Sequence, residues 1–310
     1  MIFEPLMERA ASLAYVELKT NIALTHGSLP QPSSTPNLKT SQKAWDTLLC
    51  ERVQADLLTD ATNHPKEKSR LLAATARHSG AWLHALPSST LGLKLDDEQL
   101  RVAVALRIGA PICEPHHCRH CNTTVDAQGT HGLSCRFSIG RFPRHQICNS
   151  LLKQALGSAG VPAVLEPHGL SRTDGKRPDG MTLIPWHMGR ALVWDFTCVD
   201  TLAASNLDVS KVSAGGAADR AFRRKEAKYA VISSDHFFVP LAVETLGAWA
   251  EESLLFIREL GRRIARQTGE PRSTTFLLQR LSIAVQKMNS VCILSTLPVA
   301  DELPGFYNHF

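Results

Sequence analysis

The fold is decided by the stretch GKRPDGMTLIPWHMGRALVWDFTCVD, residues 175–200. Two apolar segments flank a short turn at residues 187–190, which predicts two strands folded over that turn. Asp179 lies near the outer end of the first strand, and Asp195 follows the apolar run 191–194 of the second. The two carboxylates are therefore expected near one end of a sheet, where they can hold a divalent metal that activates water against a phosphodiester. The alternative is an ordinary solvated turn, because Pro-Asp-Gly commonly forms turns.

The bulk composition is that of a soluble globular protein. Its 310 residues suffice for two modest domains, and its net charge of +5 permits a polyanionic partner without requiring one. No apolar run approaches the roughly 20 residues that span a bilayer. The N-terminus carries early acidic residues and lacks the layout of a signal peptide. We therefore expect a nuclear or cytoplasmic protein that is not secreted and has no membrane partner.

Five of the eight cysteines lie within residues 113–148, and in a chain without an export signal this clustering indicates metal binding rather than disulfides. Four side chains predict a tetrahedral Zn²⁺ site in a small knuckle, namely Cys118, Cys121, His131 and Cys135. The alternative ligands are Cys113, His116, His117 and His120. A further alternative is that some of these thiols are merely small buried side chains. Such a knuckle serves as a structural clip as often as a nucleic-acid contact.

Composition and periodicity divide the chain into five regions. These are an N-terminal helix with a Ser/Pro-rich linker (1–43), a helical linker region (44–110), the zinc knuckle (111–140), an α/β domain (141–297) and a tail (298–310). Within the α/β domain the predicted order is a helix (143–158), three strands (162–166, 178–184, 191–199), a helix (216–231), a strand (237–241) and two long helices. Glu166, Asp179 and Asp195 each lie near the end of one of the three strands, and Lys225 lies on the helix that follows.

This order resembles the PD-(D/E)xK nuclease fold, and more narrowly the restriction-enzyme-like endonuclease region at the C-terminus of non-LTR retrotransposon polyproteins. The resemblance covers roughly residues 80–297. Its motifs, in chain order, are the Cys118/Cys121/His131/Cys135 knuckle, Arg144-His145, Lys176-Arg177-Pro178-Asp179, Trp194-Asp195-Phe196-Thr197 and Lys225-Glu226-Ala227-Lys228-Tyr229. It implies that residues 141–297 form a nuclease-like core with a central mixed sheet flanked by helices.

The resemblance also implies roles for the carboxylates and the lysine. Asp179 and Asp195 would hold Mg²⁺ or Mn²⁺, and Glu166 would be an outer carboxylate unless it is an ordinary surface group. Lys225 would orient the attacking water or neutralise charge on the phosphate. The chain departs from the simplest motif because Thr197 stands where that motif has lysine, so the lysine must come from the helix. The alternatives are that Lys228 or Lys211 serves instead, or that the basic helix face is only solvated.

Nucleic acid is the expected partner, with DNA first and RNA as the alternative. The expected contacts are Arg136, Arg141, Arg144, His145 and Lys228, although His145 can equally be a core histidine. The chain has no Tyr-x-Asp-Asp polymerase motif, so we expect a metal-dependent DNA-nicking endonuclease derived from the tail of such a polyprotein, without its reverse transcriptase. The alternatives are an inactive nucleic-acid-binding remnant with a zinc knuckle and a protein-interaction module.

Overall fold

A computed structural model describes residues 42–170 and 177–298, except for the side chains of residues 42–45 and 48. The predicted N-terminal helix and linker therefore lie outside the described residues up to position 41, as do Lys176 and the tail from position 299. The described chain falls into two compact units that divide between Asn63 and His64. No helix of these residues is both long enough and apolar enough to cross a membrane.

The first unit is built on helix α1 (Gln42–Asp60), which runs into a single 3₁₀ turn at Ala61–Asn63. An ion pair one helical turn apart joins Arg52 to Asp56, with 2.7 Å between nitrogen and oxygen. Three apolar side chains of this helix are exposed, at Leu49, Val53 and Leu57. The side chains of Trp45 and Leu48 lie outside the described residues.

The second unit combines helices with a four-stranded mixed sheet. Its helices are α2 (Pro65–Thr75), α3 (Asp97–Ile108), α4 (His131–Ser134), α5 (Arg141–Ser158), α6 (Leu207–Ser210), α7 (Gly216–Lys228), α8 (Glu251–Thr268) and α9 (Ser273–Leu294). Its strands are β1 (His116–His117), β2 (Thr124–Val125), β3 (Ala163–Leu165), β4 (Gly180–His187), β5 (Arg190–Val199) and β6 (Phe237–Glu244). The main sheet has the order β3-β4-β5-β6, antiparallel except for the parallel pair β5-β6. The predicted mixed sheet in an α/β protein is thus confirmed.

The predicted hairpin is formed by β4 and β5. Met188 and Gly189 make the turn with φ values of 46° and 74°, the left-handed conformation that two-residue hairpin turns require. Gly180 pairs with Trp194 across the strands, and a Cβ added at Gly180 would come within 2.0 Å of the Trp194 ring. The Pro-Asp-Gly segment therefore leads into a strand instead of forming a turn, and glycine is required because the indole lies against its backbone.

Alternation along β5 separates the apolar core from the polar face of the sheet. Leu192, Trp194 and Phe196 belong to the main core, which also contains residues of α5, α8 and α9. Asp195 points to the opposite face, because successive side chains of a strand alternate. Helix α7 packs on that opposite face through Phe222, which contacts Ala242 of β6.

Residues 65–108 pack on the C-terminal helix α9. Val102 and Leu106 of α3 share a cluster with Cys292 and Ile293 of α9, while Trp82 packs with Ile283. The sequence assigned these residues to a separate helical region, but these contacts place them in the same unit as the sheet.

Candidate functional site

Asp179 is fixed at the start of the hairpin by the backbone of both neighbouring strands. Its N–H donates to the carbonyl of Trp194 (3.0 Å), and its carbonyl accepts from the N–H of Glu166 (2.8 Å). The side chain is 15% exposed, and its Oδ2 atom accepts from the N–H of Phe196 at 2.6 Å. Oδ2 also lies 2.9 Å from Nε2 of His145. One carboxylate oxygen is therefore committed within the protein, while the side chain still reaches solvent.

Asp195 lies in the middle of β5 and is nearly buried, with 4% of its side chain exposed. Its Oδ1 atom accepts from Nζ of Lys225 at 2.6 Å. Burial raises the pKa of Asp195 and the charge of Asp179 raises it further, whereas Lys225 and a hydrogen bond from Tyr229 oppose the increase. The structure thus brings together both predicted aspartates and the predicted helical lysine, and Asp179 is close enough for its charge to raise the pKa of Asp195.

His145 comes from α5 and also belongs to this site. Its hydrogen bond to Asp179 raises the histidine pKa, although burial opposes the shift. Asn149, one turn further along α5, approaches the His145 ring at 3.4 Å and accepts from Nε1 of Trp194 at 2.9 Å. Asn149 is not among the site residues predicted from the sequence. The signal that could have found it is its i+4 spacing from His145, which places both side chains on one helix face.

Tyr229 closes the site from the end of α7. Its side chain is 1% exposed, its hydroxyl donates to the carbonyl of Arg177 (3.2 Å), and its ring centroid lies 4.8 Å from that of Phe238. The same hydroxyl approaches Asp195 and shares its one proton between the two acceptors, and this contact opposes the rise in the aspartate pKa. Lys228 places its ammonium 4.9 Å from the Tyr229 ring centroid. The tyrosine therefore both packs against the sheet and touches the carboxylate site.

Two residues considered for this site take other positions. Glu166 adopts a positive φ of 50° just after β3, and its side chain is 62% exposed and forms an ion pair with Arg177. Lys211 follows α6 and is exposed, and within the described part of the chain it forms no ion pair with either aspartate. The structure thus places Lys225, and not Lys211, beside Asp195.

The predicted nucleic-acid contacts are split between the surface and the interior. Arg136 and Arg141 are exposed. Arg144 is 2% exposed, and its guanidinium donates to Oδ1 of Asn289 at 2.7 Å. The expectation of a surface contact is therefore not met at Arg144, because this side of α5 faces α9.

The four predicted zinc ligands form one cluster. One ligand atom each from Cys118, Cys121, His131 and Cys135 lies within 4.8 Å of all the others, so the group can hold a metal ion. Sγ of Cys121 is 3.1 Å from Nε2 of His131 and 3.8 Å from Sγ of Cys135. The alternative ligand Cys113 and the nearby histidines are outside this group.

Local structure holds the cluster together. Strands β1 and β2 pair on either side of Cys118 and Cys121, and the short helix α4 joins His131 to Cys135. A hydrogen bond to the Thr123 hydroxyl is the main reason that the pKa of Cys121 falls to about 6, whereas burial raises that of Cys135 to about 11.

The knuckle is docked on the end of α9. The N–H of Arg119 donates to the carbonyl of Thr296 at 3.1 Å, and Nε2 of His116 lies 3.1 Å from the Thr296 hydroxyl. His116 was an alternative zinc ligand, and this contact gives it a separate structural role.

Comparison with protein-family models finds no match to this chain, and comparison with curated proteins finds none either.

Proposed function

We propose that this protein is a metal-dependent DNA endonuclease that nicks one strand by phosphodiester hydrolysis, of the kind found at the C-terminus of non-LTR retrotransposon polyproteins. The observation that supports this most directly is the 2.6 Å contact between Nζ of Lys225 and Oδ1 of Asp195. A lysine reaching a buried aspartate from a crossover helix compensates for Thr197, which occupies the strand position where the simplest motif has lysine.

The carboxylates have the donor chemistry for a hard divalent cation. Mg²⁺ and Mn²⁺ prefer oxygen ligands, and a positive ion between the two aspartates would offset the effect of the Asp179 charge on Asp195. Among the described residues, Asp179 accepts hydrogen bonds only through Oδ2, so its other oxygen remains for a further ligand. A metal bound here would polarise the scissile phosphate and lower the pKa of a bound water.

The protein's own side chains would orient the phosphate and the aspartates. Lys225 holds a positive charge at the site through Asp195 and would neutralise charge that develops on the phosphate. His145 and the N–H of Phe196 fix the Asp179 carboxylate from two directions. The Tyr229 hydroxyl lies beside both Asp195 and the Arg177 carbonyl, and so helps to position the segment that leads into Asp179.

Zinc fits the Cys/His cluster. Zn–S and Zn–N bonds of about 2.3 and 2.0 Å in a tetrahedron place ligand atoms about 3.5–3.8 Å apart. The observed ligand atoms are already within 4.8 Å of one another, so little movement is needed. Zinc would clip the loops of residues 118–135, and the docked knuckle would then present a fixed surface beside α5.

Nicking of supercoiled plasmid in Mg²⁺ tests the catalytic proposal. We expect Asp179→Asn and Lys225→Met to reduce the nicking rate by about 100-fold or more, as removal of a charge-stabilising group does in other enzymes. Glu166→Gln is the matched control, because this strand-end carboxylate pairs with Arg177 and should leave the rate unchanged.

Two results would contradict the proposal. One is a folded wild-type protein that never nicks, and the other is an Asp179→Asn variant as active as wild type. Salt-sensitive DNA binding without any cleavage would instead favour the non-catalytic remnant.

A further inference from the structure

A short segment that follows the last zinc ligand and continues into the first turn of α5 exposes an unusual set of large side chains. Its exposed members, Arg136, Phe137, Ile139, Arg141 and Phe142, are here called the 136–142 surface. Phe137, Ile139 and Phe142 are 48%, 59% and 66% exposed. Adjacent exposed aromatic and aliphatic side chains of this size are typical of a binding surface, because water contact with them is unfavourable.

The charge around this surface is positive. No Asp or Glu occurs between Asp126 and Glu166. The Arg136 guanidinium lies 4.3 Å from the Phe137 ring centroid, and Arg141 opens α5, whose N-terminus has no side-chain cap. Cationic groups and an open helix N-terminus both attract phosphate. The surface therefore suits a ligand that carries negative charges together with flat apolar groups.

The surface is held rigidly on the core. A Cβ added at Gly140 would come within 2.8 Å of the Met288 carbonyl and 2.9 Å of the Cys292 backbone nitrogen, and one at Gly132 would come within 2.5 Å of the Cys292 carbonyl. The backbone on both sides of Phe137 therefore lies directly against α9. A platform fixed in this way loses little conformational freedom on binding.

The same helix joins this surface to the carboxylate site. Arg141 and Phe142 precede His145 by four and three residues, and Nε2 of His145 contacts Asp179. Side chains at these spacings on a helix have Cβ atoms about 5–6 Å apart, so Arg141 and Phe142 lie on the same side of α5 as His145. The 136–142 surface therefore continues along α5 toward the residue that contacts Asp179.

We propose that the 136–142 surface stacks unpaired bases of a single-stranded DNA segment next to the bond that is cut. This inference rests on the proposed nuclease function. Phenylalanine rings stack on any base and arginines hold the backbone, which is the chemistry of single-strand binding without sequence preference. The faces of paired bases inside a duplex are covered by their neighbours and cannot stack on the phenylalanine rings. The preferred substrate therefore has an unpaired strand next to a duplex.

Fluorescence anisotropy with the Asp179→Asn protein, zinc-loaded and without Mg²⁺, tests binding apart from cleavage. The probes are a labelled DNA strand of about 20 nucleotides, the same strand in a duplex, and an RNA strand of the same sequence. We expect the single DNA strand to bind more tightly than the duplex. Phe142→Leu should weaken single-strand binding by about 10-fold and Phe142→Tyr should restore it, because leucine is apolar but cannot stack.

Phe276→Leu is the matched control. This partly exposed phenylalanine on α9 also lies beside an arginine, with the Arg280 guanidinium 5.8 Å from its ring centroid. It lies near the start of α9, whereas Gly140 packs against Met288 and Cys292 near the end of that helix. Its replacement should leave single-strand binding unchanged.

The inference is overturned if duplex and single strand bind equally, if Phe142→Leu binds like Phe276→Leu, or if RNA binds more than about 10-fold tighter than DNA. Its failure is distinct from that of the proposed function. If the wild-type protein nicks plasmid but Phe142→Leu does not weaken single-strand binding, only the proposed role of the 136–142 surface is rejected. If Phe142→Leu weakens binding but the wild-type protein never nicks, only the nuclease function is rejected.

Discussion

Glu244 at the end of β6 provides the sharpest test of how α7 is held. The residue is 1% exposed, and its Oε1 atom accepts from the N–H groups of Ala217 (2.9 Å) and Ala218 (3.3 Å) in the first turn of α7. Burial is the main reason that its pKa rises from the ordinary 4.5 to about 7. The folded protein therefore keeps a proton on Glu244 at a pH where the unfolded chain has lost it.

This difference makes stability depend on pH with a definite sign. Because the folded pKa is the higher one, the contribution of Glu244 is fully present below pH 4.5 and is lost as the pH rises through about 7. At about 1.4 kcal/mol per pH unit, the gap corresponds to a loss of about 3 kcal/mol in the free energy of unfolding. Glu244→Gln keeps an oxygen acceptor for α7 but removes the titration.

Urea unfolding of wild type and Glu244→Gln, measured at several pH values between 4.5 and 7.5, separates this contribution from all shared groups. Other titrating residues, including the zinc ligands, affect both proteins equally and cancel in the difference. We expect wild type to lose about 3 kcal/mol more than the variant over this range. Two stability curves that run parallel across the range would refute the reasoning, since the buried carboxyl would then titrate normally.

Three further changes test the site and its support. Lys225→Met should lower the free energy of unfolding by about 3 kcal/mol, because it leaves the buried Asp195 charge without its partner. In a double-mutant cycle measured by urea unfolding, adding Asp195→Asn should recover part of that loss. Cys135→Ser should abolish stoichiometric zinc and lower the melting temperature, whereas Cys113→Ser should retain the metal, as measured by elemental analysis and thermal unfolding. Gly180→Ala should cost about 2–3 kcal/mol in urea unfolding, because its Cβ would overlap an indole ring that is already fully packed, and a loss under 0.5 kcal/mol would contradict this.

The elements predictable from the sequence are those set by local chemistry. The hairpin follows from two apolar runs around Met188-Gly189, and α3 follows from a capping box in which Asp96 and Gln99 bond each other's backbone. The Cys/His cluster was predictable for the same reason, since Cys118 and Cys121 lie within one turn of chain. Such signals need no knowledge of distant contacts.

The features that escaped prediction depend on tertiary packing. Arg144 looks like a surface cation in the sequence, but a neighbour 145 residues away, Asn289, determines that it is buried. Asn149 reads as an ordinary polar helix residue until Trp194 and His145 are placed beside it. One-dimensional patterns cannot reveal these partners, because hydrogen bonds of this kind form between elements that only folding brings together.

Helix α7 can deliver Lys225 to Asp195 because two distances from the Glu244 contact agree, one along the strand and one along the helix. The parallel pairing of β5 with β6 places Pro240 opposite Asp195, and Glu244 is four residues further along β6, which is about 13 Å. Glu244 holds α7 at Ala217, and Lys225 follows eight residues later, which is about 12 Å along a helix. The crossover helix runs back along the strands, so a helix fixed at Glu244 brings Lys225 level with Asp195. The buried glutamate at the far end of the sheet therefore sets the register of the helix that brings Lys225 to Asp195.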